Sequence, residues 1–155
     1  PMRVSFDLDD TLFVSPEKFE VESPPPFPLN RLYSERLRMG TVNLLRSFGQ
    51  GVEVGIYTTS YRSERYIRNL FRCYGIRLDF IVNGERHARE VQRARSEPLP
   101  SKCPCKYRID LHVDDDPSVA GNGRIYGFRV LLLSGRDAHW TDKILSEIDR
   151  LRAKG

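Results

Sequence analysis

Short apolar runs alternate along this chain with amphipathic segments in which the apolar residues recur every three or four positions. The short runs are typical of buried strands, and the amphipathic segments are typical of helices. Because strand and helix alternate, we expect a parallel sheet with right-handed crossovers and helices on both faces. The predicted fold is a doubly wound, Rossmann-like α/β sandwich of three layers. Its predicted strands cover residues 4–8, 52–57, 78–82, 109–113 and 128–133.

The predicted helices have clear apolar faces, and the first two end at glycine stop signals at positions 49 and 75. A weaker, highly charged helix is expected over residues 86–95, and an irregular stretch with three prolines over residues 97–104. The final strand is apolar throughout, so we expect it to be buried on both faces of the sheet. The apolar faces comprise Leu37, Leu44, Leu45 and Phe48; Tyr66, Ile67, Leu70, Phe71 and Tyr74; and Ile144, Leu145, Ile148 and Leu151.

Residues 15–29 contain five prolines, which fix too many φ angles and remove too many amide donors for a helix or a central strand. We therefore expect residues 15–29 to be exposed, as part of a flap that covers residues 12–36. With 155 residues, the chain is long enough to bury a hydrophobic core without disulfides. A single domain over residues 1–155 is expected.

The composition limits the class of protein. No apolar run approaches the roughly 20 residues of a membrane-spanning helix, so no membrane association is expected. No secretory leader pattern precedes the first strand, which favours a cytoplasmic location.

The three cysteines fit neither a disulfide framework nor a zinc site, so reduced structural thiols are favoured. The net charge of +4 comes with scattered arginines, which are typical of solvated helix faces; the alternative is that some guide a polyanion to the site.

Acidic residues follow two of the predicted strands at the point where each strand ends. Asp7 and Asp9 follow the first strand, and Asp114 and Asp115 follow the fourth. In doubly wound sheets, ligands bind beyond the carboxyl ends of the strands. Converging carboxylates repel one another unless a cation offsets their charge, and Mg²⁺ is usually held by one or two carboxylates together with substrate phosphate. The pattern predicts a Mg²⁺ site and a phosphorylated substrate; the competing interpretation is a helix cap or surface turn.

Three short segments stand at the ends of predicted strands: residues 6–12, FDLDDTL; residues 56–60, IYTTS; and residues 112–116, HVDDD. In that order they resemble the first, second and fourth motifs of the haloacid dehalogenase superfamily phosphatases. The motifs occur in the expected order, and the resemblance covers nearly the whole chain. It implies a phosphohydrolase that cleaves phosphate monoesters through an aspartyl-phosphate intermediate.

The resemblance also implies a role for each matching residue. Asp7 would attack phosphorus, and Asp9 would act as general acid and base, which requires a raised pKa. Thr58 would donate a hydrogen bond to the phosphoryl group. Asp114 would ligate Mg²⁺ with support from Asp115, and Asp7 and the backbone carbonyl of Asp9 would complete the protein ligands.

The third motif of this superfamily supplies a lysine that steadies the nucleophile and the transferred phosphate. Lys102 is the candidate, because it precedes the fourth strand by a short interval. Lys106 lies close enough in sequence to compete for the role.

Large cap domains of this superfamily are inserted after the first strand or between the second and fourth motifs, and neither interval here is long enough for one. The resemblance therefore implies a capless phosphatase whose open site suits a bulky or macromolecular phosphorylated substrate, or a partner that completes the enclosure. Nucleic acid is one conceivable substrate that the motifs do not indicate. The alternative is a phosphate- or Mg²⁺-binding interaction module with little turnover.

Overall fold

A five-stranded parallel sheet forms the centre of the protein in a computed structural model, which describes residues 1–92 and 104–155. The order of the strands across the sheet is β3-β2-β1-β4-β5. The chain fills one half of the sheet first and then crosses to the other side of β1, so β1 and β4 flank the topological switch point. The predicted doubly wound fold is confirmed. The strands are β1 (Met2–Phe6), β2 (Val52–Tyr57), β3 (Phe80–Val82), β4 (Leu111–Asp114) and β5 (Val130–Leu132).

Helices connect these strands, and local signals set their ends. Ser63 caps α3 by accepting a hydrogen bond from the amide of Tyr66, and Asp116 caps α5 just before a proline in its first turn. Short π and 3₁₀ turns occupy Ala88–Gln92 and Pro104–Tyr107. The helices are α1 (Leu29–Leu32), α2 (Thr41–Ser47), α3 (Glu64–Cys73), α4 (Gly84–His87), α5 (Pro117–Tyr126) and α6 (Trp140–Lys154).

The hydrophobic core joins the central strands to the apolar faces of α2, α3 and α6. Val4 and Phe6 of β1 are completely buried, as expected for the middle strand of a sheet covered on both sides. Each fully buried apolar side chain of this size contributes about 1.5–3 kcal/mol relative to an exposed one. The core therefore fixes β1, and with it the position of the acidic residues that follow.

One expectation from the sequence is wrong in detail. The strand β5 is not buried on both faces, because it lies at the edge of the sheet and Leu132 is 38% exposed. The expected exposure of residues 15–29 is confirmed, because most of them are exposed, whereas Leu12, Phe13 and Val14 at the start of the flap are buried. Isolated bridges pair Phe13 with Leu37, and Val21 with Arg38, so the first half of the flap is tied to the residues that directly follow it.

The charged helix expected over residues 86–95 is described only as far as residue 92, where it is a short α4 continued by the π turn. The irregular stretch expected over residues 97–104 lies almost entirely outside the described residues. None of the helices in the described part of the chain has the length and apolarity of a membrane-spanning segment.

Candidate active site

Three carboxylates converge at the switch point between β1 and β4. One oxygen each from Asp7, Asp114 and Asp115 lies within 4.8 Å of the other two. The amide of Asp7 donates to the carbonyl of Val113 at 2.9 Å, which continues the pairing of β1 with β4. Because the two strands end side by side, residues 107 positions apart in the sequence reach the same point. The structure thus brings together three of the acidic residues identified in the sequence.

The turn after β1 adds a hydroxyl group to this cluster. The carbonyl of Leu8 accepts hydrogen bonds from the amides of Thr11, Leu12 and Phe13, so the chain curls back towards the sheet. This turn buries Thr11 and places its Oγ1 3.2 Å from Asp7 Oδ2 and 3.1 Å from Asp115 Oδ1. Thr11 is therefore positioned to hold both carboxylates. The motif resemblance assigned no role to Thr11, although a threonine four residues after Asp7 is visible in the sequence.

A buried chain of hydrogen bonds orients Asp114. Its Oδ2 lies 2.7 Å from Nε2 of His112, and Nδ1 of the same ring lies 2.7 Å from Oγ of Ser5. If Nε2 carries the proton and donates to the carboxylate, Nδ1 accepts the hydroxyl proton of Ser5, so one tautomer satisfies both contacts. The other oxygen, Oδ1, accepts from the amide of Asp116 at 3.1 Å. Both oxygens of Asp114 are thus held in place from outside the cluster.

The negative charge of the cluster is only partly offset within the described residues. Burial raises the pKa of Asp115, a hydrogen bond from Thr11 lowers it, and the charge of Asp114 raises it further, with a net upward shift. A hard divalent cation would relieve this repulsion, because carboxylate oxygens are its preferred ligands. The donor set, three carboxylates at the edge of an open cleft, fits Mg²⁺.

Thr58 stands at the end of β2, the strand next to β1. Its amide donates to the carbonyl of Val82 at 2.9 Å, its side chain is buried, and its Oγ1 accepts from the amide of Ser60 at 3.1 Å. A cleft of about 390 Å³ opens above the cluster, with Asp9 and Thr59 on its wall. The second motif therefore reaches the rim of the cleft beside the first.

Asp9 lines the same cleft as Asp7, but it is not one of the three clustered carboxylates. Its carboxylate forms a bidentate ion pair with Arg62, at 2.8 and 3.1 Å. Arg62 also binds Glu35 of the flap, and its guanidinium lies 5.1 Å from the ring centre of Phe13. Burial disfavours the charged form of Arg62, but the hydrogen bonds with Asp9 and Glu35 outweigh it and raise its pKa.

The bidentate ion pair stabilises the Asp9 carboxylate. A position beside the three clustered carboxylates would instead expose it to the repulsion of their negative charges. Motif spacing could not identify Arg62 as a partner, because it lies 53 positions from Asp9.

The lysine candidates have different outcomes. Lys102 lies outside the described residues. Lys106 lines a depression with Arg3 and Glu53, at the amino ends of β1 and β2. The structure therefore places Lys106 at the edge of the sheet opposite the acidic cluster.

Solved structures share this architecture. One chain in the structure of the Pnkp1/Rnl/Hen1 complex superimposes with a TM-score of 0.53 at 16% identity, over 88% of this chain and 46% of that one. The HAD domain of the effector protein Lem4 from Legionella pneumophila, an inactive mutant, gives 0.52 at 17% identity over 95% and 92% of the two chains. A predicted HAD-like family hydrolase from Porphyromonas gingivalis gives 0.50 at 12% identity over 97% of each chain. No protein-family model and no curated protein sequence matches this chain.

The chain therefore has a haloacid dehalogenase-like fold. It spans about half the length of the chain from the Pnkp1/Rnl/Hen1 complex and nearly all of the other two. The fold resemblance inferred from the sequence motifs is confirmed. Identities of 12–17% establish the fold alone, so the chemistry has to be argued from the site.

Proposed function

We propose that this protein is a Mg²⁺-dependent phosphatase that hydrolyses phosphate monoesters through Asp7. The observation that supports this function is the convergence of Asp7, Asp114 and Asp115 within 4.8 Å, at the edge where doubly wound folds bind their ligands. A nucleophile, a cation site and an open cleft then occupy one place. The HAD-like fold is consistent with this chemistry.

In the proposed reaction, a carboxylate oxygen of Asp7 forms a bond to phosphorus while the ester oxygen leaves. The leaving oxygen takes a proton from Asp9. A water molecule then attacks the phosphorus of the aspartyl-phosphate, Asp9 accepts the proton of that water, and inorganic phosphate departs as Asp7 is regenerated. Thr58 would donate a hydrogen bond to the phosphoryl oxygens, and Lys102 would balance their charge.

Asp7, Asp114 and the backbone carbonyl of Asp9 would hold Mg²⁺, with Asp115 supporting the site. When bound, the cation neutralises phosphate oxygens so that an anionic carboxylate can approach an anionic phosphorus. Thr11 would restrain the carboxylates of Asp7 and Asp115, since its hydroxyl lies within 3.2 Å of both. The same contacts keep Asp7 from rotating away from the cleft.

We further propose that residues 1–155 form one capless domain. Between β1 and α2 the only helix is the four-residue α1, and bridges tie Phe13 and Val21 to Leu37 and Arg38, which directly follow the flap. Such a flap leaves the cleft open to a large phosphorylated substrate.

A second candidate function is a phosphate- or Mg²⁺-binding module with little turnover. The observation that favours it is the bidentate pair between Asp9 and Arg62, which engages the proposed acid and base in an ion pair. Turnover requires that Asp9 reach the leaving oxygen, so this pair must open or reorient when substrate binds. A binding module has no such requirement.

Phosphate release from p-nitrophenyl phosphate, measured with and without Mg²⁺, separates the two functions. The phosphatase predicts release that depends on Mg²⁺ and is abolished in Asp7→Asn. Asp149→Asn is the matched control, because Asp149 is exposed on α6 and undergoes the same loss of charge. If sugar phosphates, nucleotides, phosphopeptides and nucleic-acid ends also give no release, the binding module is favoured.

A further inference from the structure

One face of α3 is lined with arginine. Arg65, Arg68 and Arg72 are spaced three and four residues apart, so their side chains project from the same side of the helix. The buried face of this helix is formed by other residues, Ile67, Leu70 and Phe71. The apolar stripe faces the core, and the arginine stripe faces outward. This stripe belongs to the basic residues for which the sequence left a polyanion-guiding role open.

The basic stripe continues beyond the end of α3. Arg68, Arg72 and Arg77 line a surface depression of about 500 Å³. The guanidinium of Arg46, from α2, lies 3.2 Å from the position that a Cβ would take on Gly75, in the wall of the same depression. We name this surface the arginine track. It consists of Arg46, Arg65, Arg68, Arg72 and Arg77.

The arginine track has no acidic partner among the described residues. Across residues 1–92 and 104–155, no carboxylate lies within 4.0 Å of a guanidinium nitrogen of the track. By contrast, Arg62 is paired with both Asp9 and Glu35. The only acidic residue of α3, Glu64, lies in its first turn. Clustered arginines repel one another, so five of them without acidic partners indicate an anionic ligand.

The helix that carries the arginine track begins close to the cleft. The helix α3 begins at Glu64, two residues after Arg62, whose guanidinium binds Asp9 on the cleft wall. From there its ten residues extend the stripe by about 15 Å, at 1.5 Å per residue. A ligand that follows the track towards the first turn of α3 would therefore approach the cleft. An extended chain of phosphates fits this layout better than a small metabolite.

An exposed aromatic ring lies in the loop between the cleft wall and α3. Tyr61 is 70% exposed, and it stands between Thr59 of the cleft wall and Glu64, the first residue of α3. A Cβ on Gly84 would lie 2.7 Å from a ring carbon of Tyr61, so the missing side chain of Gly84 is what accommodates the ring. One part of the ring is thus packed against the backbone while the rest faces solvent. An exposed aromatic ring beside a basic groove is the arrangement that binds unpaired bases by stacking.

We propose that the arginine track and Tyr61 bind a single-stranded nucleic acid and direct its terminal phosphate into the cleft. This inference rests on the proposed phosphatase function and names its substrate class. Guanidinium groups bind phosphate oxygens in a bidentate manner, and the ring of Tyr61 stacks on a base near the terminus. An acidic polypeptide would form ion pairs with the arginines, but its acidic side chains have no ring on which Tyr61 could stack.

Fluorescence anisotropy with a labelled oligothymidylate that carries a terminal phosphate tests the proposal. Binding is measured over a range of salt concentrations and with Mg²⁺ chelated, so that it does not depend on turnover. Each phosphate contact contributes about 0.7 to the slope of log K against log salt for single strands. Removing three track arginines should make the slope shallower by about 2. The track variant is Arg65→Ala, Arg72→Ala and Arg77→Ala, and the matched control is Arg124→Ala, Arg129→Ala and Arg152→Ala, all exposed positions.

Tyr61 provides the second arm of the test. Tyr61→Ala should weaken binding by about fivefold or more, and Tyr61→Phe should retain it, because stacking needs the ring and not the hydroxyl. Equal losses in the track and control variants would overturn the proposal. So would binding of polyglutamate as tight as that of the oligonucleotide and insensitive to Tyr61→Ala. Since the measurement needs no catalysis, failure of the phosphatase activity and failure of nucleic-acid binding are observed separately.

Discussion

Replacing His112 with alanine tests how the site is held together. His112 is completely buried and joins Ser5 to Asp114 through two contacts of 2.7 Å. The substitution removes the hydrogen bond to a charged carboxylate, which contributes about 1.5–3 kcal/mol, and a neutral one, which contributes about 0.5–1.5 kcal/mol. We expect a loss of about 3 kcal/mol in the free energy of unfolding. For a chain of this size that lowers Tm by about 6–12 °C.

The same substitution should weaken Mg²⁺ binding. Residues that orient a metal ligand typically contribute 10- to 100-fold to metal affinity, and His112 fixes one oxygen of Asp114. Isothermal titration calorimetry at a temperature where the variant remains folded gives the affinity. Ser5→Ala should show a smaller loss in the same direction, because it removes only the contact at the far side of the ring.

Activity as a function of Mg²⁺ concentration completes this test. A positioning role predicts that high Mg²⁺ restores much of the phosphate release in His112→Ala, whereas Asp114→Asn is not restored. If His112→Ala is destabilised but binds Mg²⁺ with unchanged affinity, the reasoning is refuted, because the imidazole then contributes to folding stability and not to metal binding.

Three further predictions concern other parts of the molecule. Asp9→Asn should lower phosphate release by about 10²–10⁴-fold while calorimetric Mg²⁺ affinity is retained; unchanged release would exclude Asp9 as the acid and base. Gly55→Ala should lower the free energy of unfolding by about 1–3 kcal/mol in chemical denaturation, because a Cβ there would lie 2.4 Å from the ring of Phe80. Burial, aided by the charge of Glu35 and a hydrogen bond to it, raises the pKa of Tyr66 to about 12. The folded state therefore favours neutral Tyr66, and the free energy of unfolding should fall as the pH rises from about 10 to about 12. In Tyr66→Phe this fall should be smaller.

The fold was predictable because its signals are local. The apolar runs of β1 and β4, and the acidic residues directly after them, can be read within a few neighbouring positions. Parallel strands place their carboxyl ends at one edge, so the meeting of Asp7 with Asp114 follows from the fold class. The exposure of Leu132 did not follow, because burial of β5 depends on its place in the strand order, and an apolar run does not specify that place.

The contacts that complete the candidate site were not predictable from spacing. Arg62 reaches Asp9 across 53 positions, and Ser5 reaches His112 across 107. Each contact joins side chains from different strands or loops, and its existence depends on register and side-chain direction. The sequence therefore indicated which acidic residues matter, but not which partners restrain them.

The most direct test of the central claim is to identify the residue that receives the phosphoryl group. The protein is mixed with Mg²⁺ and a substrate that it hydrolyses, quenched in acid and digested, and its peptides are analysed by mass spectrometry. We predict that the peptide containing Asp7 gains the mass of one phosphoryl group and that this product is absent from Asp7→Asn. A phosphoryl group on a different residue, or turnover that persists in Asp7→Asn, would contradict the account.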